Sequence, residues 1–285
     1  MKATIYPNAV SFLNDNLALL EREEAANNLI LGIALGIHQG ISVFKDAHFW
    51  GISKGGRPVY CAVQTPPRNL LVYGNPEDAE ACAGLIHGLV VRQGMEVPGV
   101  IGPRAVIEPF VMAWQKKTGG SWQMKQAMGV FQLDKVIPPA GCGGRLRAVG
   151  PEDQALAYEW ICAFQLEALG ERGEEFAQQL VKRHLERGDL FFWEDPGPVS
   201  MAAATRPTRN GITINAVYTP PEHRGKGYAS NCVAQLSQNM LDKGHLFCAL
   251  FTNLNNPTSN KIYQAIGYRK VAEFLEVRFG ESPSL

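Results

Sequence analysis

The sequence is short of the features that mark several large protein classes. Its six cysteines (Cys61, Cys82, Cys142, Cys162, Cys232 and Cys248) include no CxxC pair and no short Cys/His cluster. Reduced, mostly buried thiols in a cytoplasmic protein are the expectation. The six histidines show no HExxH or comparable ligand spacing, so no metal site is expected. There is no excess of charge: 27 basic residues balance 27 acidic ones, which argues against nucleic acid or an anionic membrane as a partner. No apolar run is long enough to span a bilayer. The longest, Asn28–Ile37, is short and carries two glycines, and the N-terminus lacks the apolar stretch of a signal peptide. Neither GxGxxG nor GxxxxGK[ST] occurs, which removes the dinucleotide fingerprint and the P-loop.

What is present is a large supply of core. Hydrophobic residues make up 46% of the 285 and charged ones 19%, enough for two domains and too apolar for wholesale disorder. Ile137–Gly144 holds two prolines and three glycines in eight residues and reads as a linker. The expected domains are therefore 1–136 and 145–285.

In the second half, Arg145–Val149 reads as a strand, and helices follow from Pro151 through Leu169 and from Glu174 to Arg187, stopping at Gly188. Strands are expected at Leu190–Trp193, Val199–Thr205 and Ile212–Tyr218, the last two joined across an Asn-Gly turn. Tyr228–Lys243 is an amphipathic helix, with Ala229, Val233, Leu236 and Met240 on one face and Gly244 after its end. Leu246–Thr252, Pro257–Ile266 and Tyr268–Phe279 complete the order as strand, helix and strand. The first half repeats nearly this order: helices within Phe12–Ile37 broken at the glycines, three strands between His48 and Tyr73, a helix over Glu77–Gln93, a strand at Val97–Ile101, a helix over Ala105–Thr118 and a strand over Gln123–Leu133. The fold class is α/β (α+β), two domains that each carry a mixed, mainly antiparallel sheet flanked by helices. Trp50, Trp114 and Trp122 are expected in the core.

Two stretches carry chemistry. In Val217–Ser230 a strand ends and a glycine-bearing loop opens a helix. The first N–H groups of a helix lack internal partners and attract anions, Gly225 and Gly227 admit a phosphate to the backbone, and Arg224 and Lys226 add charge. In Asn255–Tyr268, Asn256 is an N-cap with Pro257 after it. Asn256, Ser259 or Asn260, and Tyr263 share a polar stripe, while Ile262 and Ile266 form an apolar one.

Together the R-x-x-G-x-A of Arg224–Ala229 and the N-x6-Y-x3-G-Y of Asn256–Tyr268 resemble the GNAT superfamily of N-acetyltransferases, and more narrowly a bacterial group of predicted acetyltransferases with a divergent N-terminal half. The resemblance implies acetyl-CoA as cosubstrate and a primary amine, on a small molecule or a peptide, as acceptor. It implies that the strand Ile214–Thr219 carries a bulge that admits the pantetheine arm, whose amides would bond the backbone of Val217 and Thr219, with Tyr218 between them in the cofactor site. The N–H groups of Gly225, Lys226, Gly227, Tyr228, Ala229 and Ser230 would hold the pyrophosphate. Asn256, with Ser259 and Asn260 beside it, would contact the pantetheine end, and Tyr263 would protonate the departing thiolate. The strand glutamate that serves some members as base is replaced here by Asn215 and Ala216, leaving Glu167, Glu194, Glu222, His223 or a water chain as alternatives. That gap keeps a second reading open, a non-catalytic acyl-CoA-binding or regulatory module. In the first half the equivalent loop, Gly74–Glu80, carries three acidic residues, which repel a pyrophosphate. Wall of the substrate pocket, packing partner or homodimer surface are the roles expected of it.

Overall fold

The computed structural model describes residues 1–44, 46–170 and 173–280, and the last turn of the second-half helix that ends at Leu169 without the side chain of that residue. Two compact units are present: unit 1 is Met1–Val130 with Thr252–Asn255 and the chain from Lys270 onward, and unit 2 is Phe131–Phe251 with Asn256–Arg269.

Unit 1 begins with β1 (Lys2–Tyr6), a strand the sequence pattern does not announce, followed by α1 (Ala9–Leu20) and α2 (Asn28–His38). Asn8 caps α1 by accepting from the Ser11 N–H at 3.0 Å. The two helices part at Glu21–Asn27, not at the glycines as expected; Gly32 and Gly36 lie inside α2. Then come β2 (His48–Lys54), β3 (Arg57–Gln64), β4 (Leu70–Gly74), α3 (Ala79–Arg92), β5 (Gly99–Pro103), α4 (Arg104–Thr118) and β6 (Trp122–Leu133), which runs on into unit 2. The strand order is β1-β2-β3-β4-β5-β12, where β12 (Arg269–Phe279) is the last strand of the chain. β12 pairs antiparallel with β5, from Phe274 opposite Pro103 to Arg278 opposite Gly99. It therefore completes the sheet of unit 1, although its sequence position places it in 145–285. Both faces of that sheet are covered. Trp50, Tyr60, Ile86, Phe110 and Trp114 pack on the α3/α4 side, and Phe12, Leu19, Leu31, Phe49 and Val63 on the α1/α2 side. Full burial of each such side chain contributes about 1.5–3 kcal/mol. Trp122 departs from expectation: it is 37% exposed and donates its indole N–H to Gln115 at 3.2 Å.

Unit 2 contains β7 (Arg145–Ala148), α5 (Gln154–Leu169), α6 (Glu174–Arg187), β8 (Leu190–Glu194), β9 (Pro198–Thr205), β10 (Gly211–Tyr218), α7 (Tyr228–Asp242), β11 (Phe247–Asn253) and α8 (Pro257–Ala265). Its sheet order is β11-β10-β9-β8-β7, antiparallel except for the β10–β11 pair. One face packs Trp160, Phe192, Met201, Ala216 and Tyr218 with α5 and α6. Ser237 and the α7 stripe of Val233, Leu236 and Met240 are also buried, as the 3.6-residue period requires. The stretch Ile137–Gly144 is not a free linker: the Ile137 N–H donates to Ile266 at 2.9 Å, Asn231 reaches Ala140 at 3.1 Å and Trp193 reaches Gly143 at 2.9 Å.

Candidate active site

The site is built on the end of β10. Parallel pairing with β11 extends only from Gly211 opposite Phe247 to Thr213 opposite Ala249. On the other side, Asn215 faces Ala203 and Tyr218 faces Met201, so Ala216 and Val217 together oppose one residue of β9. This is a β-bulge, and its geometry shows in Ala216, a non-glycine residue held at φ +49°. A left-handed alanine costs about 1–2 kcal/mol. Asn215 helps to hold the kink, its side-chain oxygen accepting from the Ala216 N–H at 2.7 Å. Beyond Thr213 the pairing of β10 with β11 ends.

From the bulge the chain enters the anion loop. Ser200 secures its start, donating to the Tyr218 carbonyl at 3.2 Å and meeting the Thr219 hydroxyl at 2.8 Å. Arg224 secures its middle. Its Nε donates to the Thr219 carbonyl at 2.9 Å, one terminal nitrogen meets both carboxylate oxygens of Glu167 at 2.7 and 2.9 Å, and the guanidinium lies 5.9 Å from the Tyr218 ring centre. Arg224, expected to add charge to a phosphate site, thus also ties α5 to the loop. Lys226 donates to the Glu222 carbonyl at 3.2 Å.

Gly225 and Gly227 stand at φ +76° and +82°, conformations that side chains with a Cβ rarely adopt. Gly227 is the N-cap of α7 and makes no side-chain cap, so the N–H groups of its first turn point out of the helix unclaimed by a capping side chain. Residues 224–227 are exposed, Tyr228, Ala229 and Ser230 half-buried, and no atom stands within 4 Å of where a Cβ of Gly225 would be. An open row of helix N-terminal amides can hold a diphosphate. Sequence reasoning missed a neighbour of this row: the Tyr228 hydroxyl donates to Asp195 at 2.8 Å, which ties the helix start to the β8–β9 turn.

The other expected residues lie on α8. Asn256 caps it, accepting from the Ser259 N–H at 3.1 Å, and Ser259 and Asn260 are half-buried. Tyr263 is buried, edge-on to Tyr268 at 6.0 Å, and its hydroxyl makes no hydrogen bond among the described residues. Burial pushes that hydroxyl up to about 12, with a smaller contribution from Cys232. It is a protonated donor at any physiological pH.

The candidate bases separate clearly. Glu194 is committed to Arg147 at 2.6 Å and Arg145 at 3.5 Å, and Glu167 to Arg224. Glu222 is exposed, and His223 sits edge-on to Tyr228 at 6.4 Å. No group of His, Cys, Asp and Glu able to hold a metal occurs among the described residues, and no helix among them is long and apolar enough to cross a membrane.

A strand that carries a bulge, followed by a glycine loop and a helix start, is a recognisable arrangement. Residues 195–277 match the FR47-like protein family. The chain is similar along its length to an acetyltransferase of the GNAT family from Colwellia psychrerythraea, with TM-score 0.59, 17% identity and coverage of 98% of this chain and 100% of that one. The fold is that of the GNAT superfamily. A GCN5-related N-acetyltransferase from Sphaerobacter thermophilus has TM-score 0.64 at 15% identity, covering 99% of this chain and 98% of that one. A tandem GNAT protein from the clavulanic acid biosynthesis pathway has TM-score 0.60 at 12% identity, covering 100% of both chains. No curated protein sequence matches the chain. The expected α/β fold with two GNAT-like halves is therefore present.

Proposed function

We propose that unit 2 is an acetyl-CoA-dependent N-acetyltransferase domain that moves an acetyl group directly to a primary amine of a small molecule or peptide, in the cytoplasm. The observation that carries this reading is the bulge at Ala216 leading into the open amide row of Gly225–Ser230. The row suits the pyrophosphate, and the edge of β10 beyond Thr213 suits the pantetheine arm through the backbone of Val217 and Tyr218. The Thr219 carbonyl is already taken by Arg224, so its N–H is the group left for that purpose. Asn256, Ser259 and Asn260 flank the far end, where Asn256 keeps its side-chain N–H groups for a ligand while its oxygen caps α8.

The thioester supplies the acetyl group, so a C–N bond forms as the C–S bond breaks. Tyr263 holds the proton that the departing sulfur needs, and its high pKa keeps that proton in place. The amine proton leaves to water, since no carboxylate stands on the bulged strand. Correct placement of the two reactants supplies much of the rate in a direct transfer.

Thiol release from acetyl-CoA against a panel of amines tests the reading. Tyr263→Phe should lower kcat about 100-fold, the scale of one general acid, with CoA affinity unchanged in calorimetry. The pH profile adds an independent check. A group that must stay protonated and has a pKa of about 12 loses its proton only as pH rises through 12, so the rate should climb as the acceptor amine deprotonates. No downturn assignable to Tyr263 is expected below pH of about 10, two units short of that ionisation. Positions 215 and 216 of the bulged strand are Asn and Ala, neither able to act as a base, which favours the second reading, a non-catalytic acyl-CoA-binding module. Tight CoA binding with no turnover on any amine would establish it.

A further inference from the structure

Among the described residues, two that are not glycine hold left-handed backbone: Ala216 in the bulge, and Arg206 at φ +50°. Arg206 directly follows β9 and precedes Pro207, a position that sterics push towards extended backbone. Strained backbone of this kind collects at binding and catalytic sites. The side chains here are unsatisfied too. Nε of Arg206 is buried with no hydrogen-bond partner, and the hydroxyl of Thr205, the residue before it, is buried without one as well. Burial acts alone on the guanidinium and pulls it down to about 10, so no carboxylate among the described residues offsets its charge. An unpaired buried polar atom is costly, and a charged one more so. Both residues are only half-buried as a whole, so the two orphaned atoms lie just beneath the surface and not in the core.

The register of β9 and β10 places the pair. Thr205 stands opposite Thr213 and Ala203 opposite Asn215, so Thr205, Thr213 and Asn215 share the sheet face of Ala203 and Met201, which packs with α5 and α6. Ala216 lies three residues beyond Thr213, about 10 Å along the strand. That face therefore runs from Thr205, at the hairpin end, to the bulge on which the acetyltransfer reading rests. The unmet capacity at the hairpin end is of one kind. A guanidinium has donors only, and the Thr205 hydroxyl beside it is free to donate. What completes the pair must bring acceptor oxygens and negative charge, and the guanidinium fork fits the paired oxygens of a carboxylate or phosphate.

We propose that Thr205 and Arg206 bind a carboxylate or phosphate carried by the acceptor, which makes the substrate an amine with an anionic far end. This rests on the acetyltransfer reading and names its substrate class. The anionic group anchors at the hairpin while the amine, neutral, reaches the thioester near the bulge.

The test uses the full-length protein saturated with CoA and compares 6-aminohexanoate, 3-aminopropyl phosphate and 6-amino-1-hexanol by calorimetry. The better of the two anionic amines should bind at least about tenfold more tightly than the amino alcohol, a difference of about 1.4 kcal/mol. Which of the two it is assigns the group as carboxylate or phosphate. In Arg206→Gly the preference should vanish. Glycine accepts φ +50° without strain, so this variant should melt no lower than the parent without ligand and keep its CoA affinity. Thr205→Val keeps the shape and removes the orphaned hydroxyl, and it should weaken the anionic amine severalfold while staying folded. Should Arg206→Gly fail to fold, Arg206→Gln removes the charge at similar bulk, and the same loss of preference is required of it. Equal affinity for the anionic amines and the alcohol overturns the proposal, as does a preference that survives loss of the guanidinium. Parallel thiol-release assays separate the two readings. Selective binding of an anionic amine without turnover keeps the anion site and removes the acetyltransfer reading, whereas equal transfer to all three amines removes the anion site alone.

Discussion

In unit 1 the helix after β4 starts on Asp78; in unit 2 the helix after β10 starts on Gly227. Asp78 is buried, takes a salt bridge from Lys54 at 3.0 Å and meets the Asn75 amide at 3.4 Å, so negative charge already sits where the helix would attract an anion. Gly227 brings no side chain, and Gly225 before it faces open space. The strands differ in the same sense. β4 pairs with β3 in unbroken register from Tyr60 opposite Gly74 to Val63 opposite Leu71, while β10 carries the bulge. On the other side of β4, Gly102 of β5 is held so close to the Val72 carbonyl that a Cβ there would stand 2.5 Å from it. Unit 1 fills with its own atoms the places that unit 2 leaves open. Similar element order thus yields a closed helix start in one case and an open one in the other.

The sharpest way to break this contrast is Gly227→Val. A β-branched residue at φ +82° cannot hold the loop, and CoA affinity should fall at least about 100-fold, some 2.7 kcal/mol by calorimetry. Unchanged affinity would remove the loop from the cofactor site. Next in size is Asp78→Ala in unit 1. It removes one buried hydrogen-bonded group worth about 1 kcal/mol, which lowers Tm by about 2–4 °C in a domain of this size. CoA affinity should not change; a loss of affinity would mean that unit 1 takes part in binding. The smallest effect is expected from Ala216→Gly. Relief of the left-handed backbone offsets the lost methyl group, so stability should stay within about 0.5 kcal/mol in urea unfolding. Ala62→Gly, a fully buried strand alanine in unit 1, should instead cost about 1–2 kcal/mol. Equal losses at the two positions would deny that the bulge stores strain.

Much of this was legible in local sequence. The apolar period of Tyr228–Lys243, the Asn256-Pro257 cap and the Gly225/Gly227 spacing each depend on neighbours within a few residues, and α7, α8 and the loop follow them. The acidic run after Gly74 was likewise legible, and the structure shows one member of it, Asp78, at the start of α3. β1 escaped notice because Lys2–Tyr6 is a five-residue strand with a largely solvated pattern. The break between α1 and α2 fell at Glu21–Asn27 because a packed helix tolerates glycine in its interior when the flanking face is as apolar as Ile30, Leu31, Ile33 and Ala34.

By itself, then, the sequence determined the elements of the second half, the glycine-bearing start of α7 and the Asn256 cap of α8, since each is set by short-range propensity and capping. Tertiary structure alone decided three matters that depend on atoms distant in the chain. It drew β12 into the sheet of unit 1, because pairing with β5 satisfies a row of backbone groups whatever their separation in sequence. It paired Arg224 with Glu167, 57 residues away, tying the loop to α5. And it set the Tyr218 ring 6.1 Å from Trp160, a contact that no spacing along the chain reveals, because the packing of α5 on β10 and not sequence proximity brings the two rings together.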